Sequence, residues 1–164
     1  MIKEMAATVA LVSSLGTIGY SDSAKYVYDQ KINSYNELQI PEFYFSLMKR
    51  VMPELHAIAH ETSEAGWDGY GALPVHNETV EQAQSFLELL PNGIPSPSIG
   101  AEPDGQITFE WYKSSRRTLS ISVSPTGELH YAALFGLSKA YGTETFYGDV
   151  PEKILELIDR VYSI

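Results

Sequence analysis

From Ile107 to Phe135 the apolar residues fall on alternate positions. Ile107, Phe109 and Trp111 alternate with Thr108, Glu110 and Tyr112. Leu119, Ile121 and Val123 alternate with Ser120 and Ser122. Leu129, Tyr131, Ala133 and Phe135 alternate with His130, Ala132 and Leu134. A period of two predicts strands that each carry one apolar face. Asp104-Gly105, Ser114-Ser115 and Pro125-Thr126-Gly127 supply the turns. Connections this short join antiparallel neighbours, so the strands form a meander. A further strand is expected at about Thr143 to Tyr147. Ile94 to Gly100, with its prolines and serines, reads as an extended loop or an edge strand.

Elsewhere the period is near 3.6. Phe43, Leu47, Val51, Leu55 and Ile58 make one helical stripe behind Pro41, a residue suited to a first helical turn. Pro53 lies inside that stripe, which predicts a kink near Met52 or two helices meeting there. The helix is expected to run out at Ser63 to Gly66. Val80, Ala83, Leu87 and Leu90 form a second stripe, with Phe86 beside it and Asn77 as the expected cap. Ile154, Leu157, Ile158 and Val161 form a third. Asp149-Val150-Pro151-Glu152 before it has the pattern of a capping box. The fold class is therefore α+β: a helical N-terminal part over 1–65, then a compact domain over 66–164. In that domain an antiparallel meander of four or five strands is packed by two or more helices.

The two parts meet at Gly66-Trp67-Asp68-Gly69-Tyr70-Gly71-Ala72-Leu73-Pro74. Three glycines and a proline in nine residues make an ordered turn. In one reading Trp67 plugs the junction of helix and sheet, and Asp68 accepts bonds from nearby amides. In the other, Trp67, Asp68 and Tyr70 line a binding site. This turn, Asp104-Gly105, Gly142-Thr143-Glu144-Thr145-Phe146-Tyr147-Gly148 and Pro151 to Ile158 together resemble a widespread, mostly uncharacterised family of small bacterial proteins with a W-D-G-x-G-A turn. The resemblance covers residues 66–162, about three fifths of the chain. It implies a shared fold and carries no activity.

Length and composition narrow the function. A chain of 164 residues buries roughly 70% of its unfolded surface without staples. The absence of cysteine excludes disulfides, zinc–thiolate sites and thiol nucleophiles, and fits a cytoplasmic location. Met1 to Leu15 is apolar, but Glu4 offsets Lys3, so a secretion signal is disfavoured, and the run is too short to span a bilayer. It is expected to pack on the domain or on a second copy. The net charge is −10, and from Glu42 to Glu110 only Lys49 and Arg50 oppose eleven acids. Such a field repels nucleic acid directly and suits a protein partner with a basic surface.

Catalytic patterns are weak. No phosphate-cradling, dinucleotide or nucleophile-elbow motif is present. His56 and His60 share a helix face, but Ala57 and Ala59 stand where a zinc protease needs Glu, so they are weak metal candidates. Ser120 or Ser122 could meet His130 across a hairpin, without an evident oxyanion hole. Arg116 and Arg117, with Lys113, form a basic cluster at a hairpin turn. Tyr26, Tyr28 and Tyr35 are abundant aromatics for a polar segment and are candidate contact residues. The expectation is a non-enzymatic protein-binding module without cofactor: an acidic inhibitor or antitoxin-like protein of a mobile element that blocks a basic surface of a nucleic-acid-handling partner. The alternatives are an enzyme or small-ligand sensor at Trp67–Ala72, and a self-assembling subunit joined through its N-terminal region.

Overall fold

The computed structural model describes residues 42–163, with side chains from Met48 onward. Met1 to Leu15, Tyr26, Tyr28 and Tyr35 lie outside the described residues. Leu47–Ile164 form one compact unit. The described elements are α1 (Glu42–Glu61), α2 (Asn77–Leu89), β1 (Ser98–Ala101), β2 (Ile107–Ser114), β3 (Arg117–Val123), β4 (Glu128–Phe135), β5 (Ser138–Thr145) and α3 (Glu152–Tyr162). The strands form one antiparallel sheet in the order β1-β2-β3-β4-β5, an α+β fold with the meander that the alternation predicts.

One face of this sheet is the core. Ile107, Phe109, Trp111, Leu119, Ile121, Val123 and Leu129 have no exposed surface. Onto them α2 packs across β2 and β3, and α3 packs across β2, β3 and β4. All four residues of the α3 stripe, Ile154, Leu157, Ile158 and Val161, are buried. Phe86 is the centre of the contact: its ring stacks on Phe109 at 5.4 Å and meets Phe146 edge-on at 5.9 Å. The expected stripe of α2 is buried at Ala83, Leu87 and Leu90, with Phe86 beside it; at its start Thr79 is buried and Val80 half-buried.

Several local expectations are corrected. Pro53 does not divide the first helix, which is continuous from Glu42 to Glu61. Pro53 is exposed, so its ring points away from the buried Val51, Met52 and Leu55. Asn77 is the first helical residue of α2, and the cap position belongs to His76, whose carbonyl accepts the Thr79 and Val80 amides. Asp149 does not cap α3 either. The cap position is Pro151, and Asp149 stands two residues too early for its carboxylate to serve. Trp67 is only half-buried; the fully buried tryptophan is Trp111, whose indole N–H donates to the Pro95 carbonyl at 2.7 Å. The last strand begins five residues earlier than expected, at Ser138.

The antiparallel order gives the sheet two distinct ends. The turns at 102–106 and 124–127 and the C-terminal end of β5 share the upper end. The turns at 115–116 and 136–137 share the lower end. Helix α3 runs from the upper end to the lower, where Lys113 donates to the Tyr162 carbonyl at 2.8 Å and Arg117 donates to that of Ser163. The ladder slips by one residue between Tyr112 and Ser114, so Lys113 is a bulged residue, released from regular pairing to reach that helix end.

Candidate functional site

The turn at 66–74 is built by its own hydrogen bonds. Asp68 Oδ1 accepts the amides of Tyr70 at 2.8 Å and Ala72 at 3.0 Å. The Gly66 amide donates to the Ala72 carbonyl at 2.7 Å, and the Trp67 indole donates to the Leu73 carbonyl at 2.9 Å. Gly66, Gly69 and Gly71 have φ of 78°, 78° and 95°, the left-handed region that makes the bends. The backbone bonds from Ala72 and Tyr70 hold the Asp68 carboxyl below its usual pKa. Two further bonds tie the turn to the domain: the Leu73 amide to the Pro103 carbonyl, and the Val75 amide to the Thr62 carbonyl.

Asp68 is thereby occupied with the backbone of its own turn. Trp67 lies along the turn, and Tyr70 projects from it with 96% of its surface exposed. The arrangement presents one aromatic ring on a fixed loop. It supplies no base, nucleophile or oxyanion donor aimed at a common point.

Charge is segregated by the fold. Around the upper end lie Asp68, Glu78, Glu81, Glu102, Asp104, Glu128, Asp149 and Glu152, drawn from five separate stretches of chain. Lys153 is on the same side, and it pairs with Glu156 at 3.4 Å. Around the lower end lie Lys113, Arg116, Arg117, Lys139 and Arg160, with Glu88 and Asp159. The basic cluster at Arg116 and Arg117 is thus wider than the sequence indicates. Much of it has structural work: Lys113 and Arg117 satisfy carbonyls at the C-terminus of α3, and Arg160 lies over the Phe135 ring at 4.2 Å. Arg116 is exposed at the turn itself.

The outer face of the sheet carries the polar members of the alternation. Register places Thr108, Ser122, His130 and Thr143 in one row. Glu102 accepts bonds from the Thr108 and Ser122 hydroxyls, the latter at 2.7 Å. His130 Nδ1 pairs with the Thr143 hydroxyl at 2.9 Å. Ser122 and His130 are direct register partners, yet each side chain is turned to a different neighbour, and no Ser–His couple forms. Ser120 faces Ala132. Glu102 was not legible as a partner of these hydroxyls, because its turn is brought over them only by the β1–β2 register.

His56 and His60 are exposed on α1, and among the described residues no group of three or more His, Asp or Glu side chains is placed to hold a metal. A groove of about 390 Å³ runs between the loop after α2 and α3, lined mainly by Pro91, Ile94, Pro95, Leu155 and Ile158. Its polar groups are Asp159 and Tyr162, and burial raises the Tyr162 phenol. No described helix is long and apolar enough to cross a membrane. No known family model, curated protein or solved structure matches the chain.

Proposed function

We propose that the chain is a non-enzymatic protein-binding module whose contact surface is its acidic upper end, with Tyr70 as the exposed aromatic at the β1 side of that end. The observation that carries this reading is the separation of charge by the fold. Carboxylates from five stretches lie along the upper end of the sheet, and at its β1 side a hydrogen-bonded turn presents one exposed tyrosine. Acidic surroundings steer a basic partner on encounter, and a Tyr held on a fixed loop binds with little loss of conformational freedom. The partner class this fits is a protein with a basic, nucleic-acid-binding surface, which the module would cover in the manner of an inhibitor or antitoxin of a mobile element. The same acids disfavour direct contact with nucleic acid. The self-contained bonding of Asp68 counts against a catalytic or small-ligand role for the turn.

The test is affinity capture of the tagged full chain from its native host at low and moderate salt, read by mass spectrometry. The expected result is one stoichiometric partner with a basic surface, released as salt rises and lost with Tyr70→Ala. Capture of a partner that is indifferent both to salt and to Tyr70→Ala would overturn the reading.

A further inference from the structure

The two edges of the sheet are unlike. β1 is four residues long and follows Pro95 and Pro97, devices that blunt an edge. β5 is eight residues long, has no proline and pairs with β4 without a bulge. Among the described residues no strand pairs with its other side. The Phe146 amide donates to the Gly127 carbonyl at 2.8 Å, on the β4 side. By alternation, Lys139, Tyr141, Thr143 and Thr145 therefore direct their backbone N–H and C=O groups outward.

We infer that two copies of the chain pair antiparallel through β5, with Gly142 on the twofold axis. In that register Lys139 faces Thr145 of the second copy and Tyr141 faces Thr143, so every outward backbone group of the strand is paired. One step beyond the strand, Leu137 falls opposite Tyr147. These are among the most exposed large side chains in the domain, at 98% and 86%. The neighbouring registers with Tyr141 or Thr143 on the axis separate them: the first leaves Thr145 opposite Leu137, and the second leaves Tyr147 opposite Lys139.

Charge favours the same arrangement. Antiparallel pairing sets the basic lower end of one copy beside the acidic upper end of the other. Lys139 then shares a row with Thr145 and Glu128 of the second copy, because Glu128 and Thr145 are register partners. Gly142 suits the axis: a Cβ there would stand 2.7 Å from the Tyr131 hydroxyl, whose ring lies across the glycine towards the junction. The axis is perpendicular to the sheet, so the outer faces stay on one side and the Tyr70 turn, at the β1 side, remains free. Glu128, one of the carboxylates of the upper end, is shared between the two surfaces, whereas the Tyr70 turn belongs to partner binding alone. An eight-residue edge spans about 27 Å and makes a small interface, so a dissociation constant on the order of 10 µM is expected.

The chain has no native cysteine, so introduced ones report cleanly. A mixture of full-length Tyr141→Cys and Thr143→Cys is expected to form disulfide dimers roughly ten-fold faster than either variant alone. Sedimentation equilibrium is expected to show a dimer that Lys139→Glu weakens and the added Glu128→Lys restores. Thr143→Pro, which removes an outward N–H and leaves the β4 ladder intact, is expected to give a monomer. A chain that stays monomeric up to about 1 mM, or a dimer that Lys139→Glu and Thr143→Pro leave unchanged, would overturn the inference.

Discussion

Two glycine substitutions separate backbone strain from crowding in the support of the Tyr70 turn. Gly69 has φ of 78°, and a side chain there would meet open space. Gly105 has φ of 86°, and a Cβ there would stand 2.9 Å from the Pro74 carbonyl oxygen. A non-glycine residue in the left-handed region costs about 1–2 kcal/mol. Restriction of the unfolded chain by Ala returns about 0.4–1 kcal/mol. Gly69→Ala is therefore expected to destabilise by about 1 kcal/mol. Gly105→Ala carries the same strain and must also displace a backbone oxygen, which adds about 1–3 kcal/mol, for a total of about 2–4 kcal/mol. That is a large share of a typical domain stability of about 5–15 kcal/mol. Urea unfolding monitored by tryptophan fluorescence measures both, with an unchanged denaturant slope expected. A Gly105→Ala variant no less stable than Gly69→Ala would refute the close packing of the 102–106 turn on Pro74.

Phe86→Ala removes the ring that joins α2, Phe109 and Phe146, and is expected to cost about 3–5 kcal/mol in the same assay. Pro53→Ala restores a hydrogen bond within α1 at an exposed position, so it is expected to stabilise by roughly 1–3 kcal/mol, read as a raised urea midpoint. The Asp68 carboxyl is held below its usual pKa, so the unfolded chain binds its proton first and stability rises with pH there. Its contribution is fully present above the ordinary value of about 3.9 and is lost as pH falls through the lowered folded value. Asp68→Asn is expected to remove this part of the acid limb of a stability–pH profile; an unchanged profile would contradict the bonding of Asp68 to its turn.

The central strands were legible because each buries one face completely, so Phe109, Ile121 and Leu129 stand out against their neighbours. β5 was misplaced for the opposite reason. As an edge strand its residues from Ser138 to Thr145 are all at least partly exposed, and Tyr141-Gly142-Thr143 shows no apolar alternation. Caps failed where a plausible side chain lay near the helix start but at the wrong position, as with Asn77 and Asp149. Pro53 was read as a kink or a junction of two helices because its clash is visible in sequence, whereas the buried face of Met48, Val51, Met52 and Leu55 that keeps α1 one helix is a tertiary effect. Among the candidate site residues, the bonding of Asp68 followed from its place among glycines. The charge separation did not, because Asp68, Glu128 and Asp149 are far apart in sequence and share one end of the sheet only through the up-and-down course of the strands. Nor did the exposure of Tyr70, since Trp67 three residues away has the same aromatic character and is half-buried.

The central claim, that the acidic upper end and Tyr70 form the docking surface, is tested most directly by titrating the captured partner against the full chain and against Tyr70→Ala and Glu78→Lys/Asp104→Lys variants. Calorimetry from about 50 to 300 mM salt would follow the screening of surface charge. The account predicts affinity that falls as salt rises, is weakened at least about ten-fold by either variant, and loses much of its salt dependence in the charge-reversed one. Wild-type affinity in both variants, with the same salt dependence, would contradict it.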